Sequence, residues 1–262
     1  GIFTITNLNN YFLSSEFKSS WDLSEVNKYF EESPFIWLTG RISSKTIYNG
    51  FIAFDKRFKK MFLNSYHESD IKIEKANFKY NIYPLKFTFT YADFKINKNK
   101  ILVNSSQLNI SETDINFKGE AQNLIGYILE ESPKTYVKGN IKSTYTNFSE
   151  LITLDAKTKD ESKNIMPDWI DADLGIDTEN FSYKNFIASD LNGSITYKNG
   201  ELKGNNLNTQ SLNGQIDCGF TFAKQKNNNL KLISNIEAKE INIRNSFDAF
   251  NNYGQTFIMN DQ

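Results

Sequence analysis

Catalysis by a serine, cysteine or threonine nucleophile requires a neighbouring general base, usually histidine, and this chain has one histidine and one cysteine. His67 lies in Asn64-Ser65-Tyr66-His67-Glu68-Ser69-Asp70, a polar run that reads as a solvated turn. Cys218 fills an apolar slot of an alternating stretch, where a cysteine behaves as a small buried hydrophobe. There is no Cys pair, His pair or His-Glu-x-x-His motif, so a transition metal lacks ligands. Asp168, Asp171, Asp173 and Asp177 could offer oxygens to a hard cation, but their spacing is not that of a calcium loop. No glycine-rich phosphate cradle follows a strand and opens a helix. The chain therefore reads as non-enzymatic, with no cofactor and no metal.

Composition narrows the field further. Thirty basic and 31 acidic residues leave a net charge of −1, so no positive field exists to gather nucleic acid. Apolar residues make up 39%, including 13 Tyr; exchanging these for the 13 Gly gives the same figure on the usual definition, below the common 45–50%. Twenty-two Phe favour strands. A thin, sheet-like protein follows from this balance. No apolar run approaches the 18 or more residues that cross a bilayer, the densest patch being Pro34-Phe35-Ile36-Trp37-Leu38. The opening Gly1-Ile2-Phe3-Thr4 carries neither Met nor a basic leader, which places any signal or anchor outside these residues.

The elements that would position a site emerge from internal similarity. Asp70, Ile73, Asn77, Phe78 and Tyr80 recur as Asp173, Ile176, Asn180, Phe181 and Tyr183, and Glu31-Glu32-Ser33-Pro34 recurs as Glu130-Glu131-Ser132-Pro133. The offsets, 173 − 70 = 103 and 130 − 31 = 99, define tandem units of about 100 residues. Within a unit the period is two: Leu85, Phe87, Phe89 and Tyr91 alternate with polar residues, followed by Phe94/Ile96, Ile101/Val103, Leu108/Ile110 and Ile115/Phe117. Asn199-Gly200 reads as a hairpin turn with positive φ. Amphipathic helices are predicted near 22–32, capped by Asp22, and over 120–132, while the third unit has only the polar loop from Lys224 to Asn229. The charged, aperiodic Asp155–Lys163 stretch reads as a linker, giving a first β-rich part over 1–164 and a second over 165–262 that continues the same sheet and is incomplete at its end. The predicted fold is mainly β: a long, curved, antiparallel sheet of tandem units, open as a groove, with one or two short amphipathic helices.

The run Pro167-Asp168-Trp169-Ile170-Asp171, the Ile195–Leu202 hairpin, the Ser211–Ile216 turn and the ending Ile241–Phe250 with Tyr253-Gly254-Gln255-Thr256 resemble the C-terminal region of AsmA-like proteins. Phe117-Lys118-Gly119 and Gly139-Asn140-Ile141-Lys142-Ser143, leading to Phe148 and Leu151, are similar to the preceding unit of that family. The likeness covers most of residues 70–255 and carries no catalytic signature. It implies a periplasmic segment of an envelope protein whose parent is anchored in the inner membrane by a helix outside this chain. It further implies repeating-β-groove carriage of phospholipid toward the outer membrane, with inner- and outer-membrane proteins as possible partners.

Such a role has a simple physical form. A sheet with one apolar face needs only half its positions to be apolar. A two-chain lipid exposes on the order of 20 kcal/mol of hydrocarbon when it leaves a membrane, unless a carrier replaces that environment. An acyl chain of roughly 15 Å approximates a five- or six-residue strand. Phe87, Phe89, Tyr91, Ile101, Val103, Ile115, Phe117, Ile216, Phe220 and Phe222 are the candidate lining for phospholipid or another amphiphile. The same alternation would also serve the closed core of a structural or adhesive β-sandwich that bridges the envelope without binding lipid.

Overall fold

A computed structural model of the 262-residue chain describes residues 1–6, 11–28, 35–53, 57–80, 83–129, 134–151, 168–225 and 229–254. The chain is mainly β, and among the described residues the strands form one open sheet of thirteen, mostly antiparallel and not closed into a barrel. The strands are β1 (Ile2–Thr6), β2 (Phe12–Asp22), β3 (Phe35–Phe51), β4 (Tyr66–Tyr80), β5 (Tyr83–Asn97), β6 (Lys100–Ile110), β7 (Thr113–Gln122), β8 (Thr135–Asn147), β9 (Ile170–Tyr183), β10 (Phe186–Lys198), β11 (Glu201–Ser211), β12 (Gly214–Lys224) and β13 (Leu230–Lys239). They neighbour one another in sequence order.

The repeat is visible in the strand boundaries. β2, β7 and β12 begin at residues 12, 113 and 214, two equal steps of 101. Turn geometry follows the same step: Lys98 and Asn199 have φ near 51°, and Ser111 and Leu212 have φ of 51° and 54°. Asn199-Gly200 joins β10 to β11 with positive φ at both residues, the twist that matches two right-handed strands.

The strands extend well beyond the apolar pairs that mark them in the sequence. β3 runs for 17 residues and β5 for 15. Bulges let a strand continue past a break in alternation, so Leu85–Tyr91 and Phe94/Ile96 belong to the one strand β5. One junction departs from the antiparallel meander. Lys142 pairs with Asp177, Asn180 donates to the Thr144 carbonyl, and the Tyr145 hydroxyl meets Ser182, so β8 and β9 advance together as a parallel pair.

Helices are shorter than predicted and more numerous. The first is a single turn, α1 (Leu23–Val26), whose Asp22 cap accepts from the Ser24 amide at 2.9 Å. Hydrogen bonding to Ser24 holds the Asp22 carboxyl below its ordinary range. The helix expected over 120–132 is confined to α3 (Leu124–Ile128), because residues up to Gln122 remain in β7. The sequence reading missed α2 (Phe58–Asn64), α4 (148–151) and α5 (Ile243–Ala249). Phe30, Pro34, Pro133 and the Asp155–Lys163 stretch lie outside the described residues.

Two compact units partition the chain: Gly1–Ile110 with Asn116–Lys138, and Ser111–Ile115 with Gly139–Gln262. The core of the first is small. Leu23 of α1 is buried with Ile73, Ala76 and Ala92, and Val26, Trp37, Ile42, Phe89 and Phe94 pack around them.

Candidate functional site

Directly paired residues of an antiparallel ladder project to the same face, so the register reads out each face side chain by side chain. In the first unit, Trp37 of β3 pairs with Phe78 of β4, which pairs with Phe87 of β5, which pairs with Ile110 of β6. The next row joins Ala76, Phe89 and Leu108. Beyond the bulges, Ile42, Ile73, Ala92 and Ser106 form a row, and Ile71, Phe94 and Val103 the next. Ser69, Ile96 and Ile101 close the series. The Phe78 ring stacks on Phe87 at 5.2 Å and on Phe89 at 5.5 Å.

Four of the candidate residues, Phe87, Phe89, Ile101 and Val103, therefore share one apolar face. Tyr91 does not. It pairs with Glu74 and Gln107 and is 41% exposed, while Phe89 and Ala92 on either side turn inward. The alternation also understates the face: Ile71, Phe94, Ile96, Leu108 and Ile110 belong to it through the register. Ile115 and Phe117 alternate along β7 with the exposed Lys118, both half-buried.

The second unit has the same two-faced design with less cover. Tyr197, Leu202, Phe222 and Leu232 form one row across β10 to β13, and Ile195, Gly204, Phe220 and Ser234 form the next. Leu207, Cys218 and Ile236 follow, then Thr209, Ile216 and Ala238. Ile216, Phe220 and Phe222 thus share one face. A Cβ on Gly204 would lie 2.4 Å from Phe220 Cε1 and 2.7 Å from Leu207 Cδ1, so the ring and the leucine cross directly above the glycine. β12 is half-buried along nearly its whole length, and β13 is exposed throughout, with Leu232 at 62% and Ile236 at 61%.

Charge collects on the opposite face. Asp173 and Asp177 of β9 lie there, Asp177 3.0 Å from Lys142, as do Lys203 of β11 and Asp217, Glu237 and Lys239 of β12 and β13. Asp171 accepts from the Asn199 amide at 3.2 Å. Asp171 thus serves the β10–β11 turn and Asp177 an ion pair; among the described residues no group of three or more His, Cys, Asp or Glu is gathered.

His67 differs from the sequence reading. It is 3% exposed, at the start of β4, stacked on Phe62 of α2 at 4.3 Å. Its Nε2 lies 2.9 Å from the Lys98 carbonyl, which can only accept, so the neutral ring carries its proton there and leaves Nδ1 facing Ser65 Oγ at 3.2 Å. Burial pushes the imidazole below its usual value. The polar sequence around it misled because the covering group, Phe62, comes from a helix that periodicity did not show. Cys218 is half-buried on the apolar face, and desolvation raises its thiol.

No protein-family model, curated protein or solved structure matches the chain. No helix among the described residues is long and apolar enough to cross a membrane.

Proposed function

We propose that this chain is a lipid-carrying segment of an AsmA-like envelope protein, holding acyl chains of a phospholipid or similar amphiphile against the apolar faces of its sheet. The observation that carries this reading is the register of β10 to β13, which lines up Tyr197, Leu202, Phe222 and Leu232, then Ile195 and Phe220, then Leu207, Cys218 and Ile236 on one face opposite a charged one. An apolar patch that reaches strongly exposed Leu232 and Ile236 is the kind of surface that a protein reserves for an apolar partner. The strands of β12 and β13 span roughly 33–37 Å at about 3.3 Å per residue, room for two acyl lengths end to end. A periplasmic setting, an inner-membrane anchor on the parent protein and envelope partners belong to the same proposal. So does the absence of catalysis.

A second reading, a structural spacer, is favoured by the first unit, where α1 and α2 lay Leu23 and Phe62 over part of the apolar face and the protein fills its own surface.

Native mass spectrometry of the purified chain, with solvent extraction of the same sample, separates the two. Carriage predicts a bound amphiphile whose occupancy falls at least tenfold in a Phe220→Asp, Phe222→Asp variant. Recovery of no amphiphile, before and after incubation with phospholipid vesicles, leaves the spacer.

A further inference from the structure

The strand order ends on an edge with no protection. Among the described residues β13 pairs with β12 alone, in an unbroken register from Gln215 opposite Lys239 to Lys224 opposite Leu230. All ten of its residues are exposed. An edge strand turns a row of backbone N–H and C=O groups outward, and proteins usually blunt that row with proline, a bulge, inserted charge or extreme shortness. None of these interrupts the middle of β13, Leu232-Ile233-Ser234-Asn235-Ile236. The opposite edge strand, β1, is only five residues long. The chain also turns away from the β13 edge once the strand is complete. Glu240 takes φ 57°, the Asn242 amide donates to the Leu212 carbonyl at 2.7 Å, and Phe250, after α5, stacks on Phe186 of β10 at 5.4 Å. These residues lead inward over the sheet and leave the outer side of β13 uncovered.

The side chains of β13 complement a second copy of themselves. Set antiparallel about Ser234, two β13 strands place Leu232 opposite Ile236, Leu230 opposite Ala238 and Lys231 opposite Glu237, each pair occurring twice. The register with β12 puts the first two pairs on the apolar face and the third on the charged face. Neighbouring alignments lose this match: centring on Asn235 sets Lys231 against Lys239, and centring on Ile233 sets Lys231 against Asn235. Glu237 lies 3.2 Å from Lys239 of its own strand, an exposed pair of little strength that can share the carboxylate with Lys231. We propose that this chain forms a two-fold dimer by antiparallel pairing of its β13 strands, centred on Ser234. Such an isologous contact closes on itself. Its axis stands normal to the sheet, so the apolar faces of both copies lie on one side, and the row Tyr197, Leu202, Phe222, Leu232 runs on into Ile236, Cys218 and Leu207 of the second copy. Pairing covers the edge and leaves that face open, so the dimer does not rest on lipid carriage.

Sedimentation velocity of the delipidated full chain over a concentration series tests the proposal. The wild type is expected to pass from monomer to dimer and no further. Glu237→Lys, which sets lysine against Lys231 on both sides of the axis, should weaken dimerisation at least tenfold, and Lys231→Glu, Glu237→Lys, which exchanges the charges, should restore it; circular dichroism confirms that both variants fold. In a Cys218→Ser background, Ser234→Cys should form an inter-subunit disulfide on mild oxidation, because this position meets its own copy across the axis, whereas Ile236→Cys, which meets Leu232, should not. A wild type that stays monomeric, growth beyond the dimer as head-to-tail pairing of β13 with β1 would give, undiminished dimerisation in Glu237→Lys, or no cross-link at Ser234→Cys would overturn the proposal. Because the dimer is measured without lipid, failure of the carriage reading and failure of this one are told apart.

Discussion

Gly204 and Phe220 show how closely the apolar face of the second unit is filled. The Phe220 ring lies over a backbone with no side chain, and even one methyl group would meet it at 2.4 Å. Gly204→Ala should therefore destabilise the chain by about 1–3 kcal/mol, the usual range for overpacking. Most of that loss should disappear in a Phe220→Ala background, a coupling that a double-mutant cycle in urea measures. His67 makes a different prediction. Its folded pKa lies below the ordinary 6.5, because burial opposes the charged ring. The unfolded chain thus takes up the proton first as pH falls, so this residue's contribution is complete above about pH 6.5 and is lost as pH drops through the lower folded value. Urea midpoints measured from pH 8 to 5 should fall more steeply for the wild type than for His67→Gln. Equal slopes would show that His67 is as well solvated folded as unfolded.

Bulges decide which residues an element presents. Glu74 and Lys75 in β4, with Lys75 at φ 50°, lie across from Thr90 and Tyr91 in β5, and all four are exposed between inward-facing neighbours. A similar irregularity recurs in the second unit, with Asp190 of β10 at φ 56° and Asn206 of β11 at φ 50°. Tyr91→Lys should accordingly change stability by no more than about 0.5 kcal/mol, whereas Phe89→Lys, one step before the parity change, should destabilise by several times as much. Thermal unfolding of the two variants checks this directly. The same elements explain what could be read from the sequence. Alternation located Phe87, Phe89, Ile101, Val103, Ile216, Phe220 and Phe222 because a period of two survives wherever the ladder is regular. It lost Tyr91 because an extra residue reverses parity without any Gly or Pro to announce it. α2 escaped because its seven residues, Phe-Lys-Lys-Met-Phe-Leu-Asn, are too few to display a period of 3.6. The parallel β8–β9 pair escaped because strand direction is set by the connection between them and leaves no mark on their apolar pattern.

For the chain as a whole, the carriage proposal gives the repeated step of 101 residues and the two-faced ladders of both units one energetic purpose. Hydrocarbon drawn from a membrane loses about 0.8 kcal/mol per exposed CH₂, and only a continuous apolar surface within a unit can offset that loss along a whole acyl chain. The face of β10 to β13 is the test surface, and it contains its own reporter. Cys218 stands on it between Ile216 and Phe220, beside Leu207 and Ile236, and is the chain's single thiol. The most direct measurement is the rate at which a maleimide labels Cys218 with and without a short-chain phosphatidylcholine below its micellar concentration. Carriage predicts at least tenfold slower labelling with lipid, and recovery of the lipid-free rate in a Phe220→Asp, Phe222→Asp variant. Labelling that is equally fast with and without lipid would contradict it.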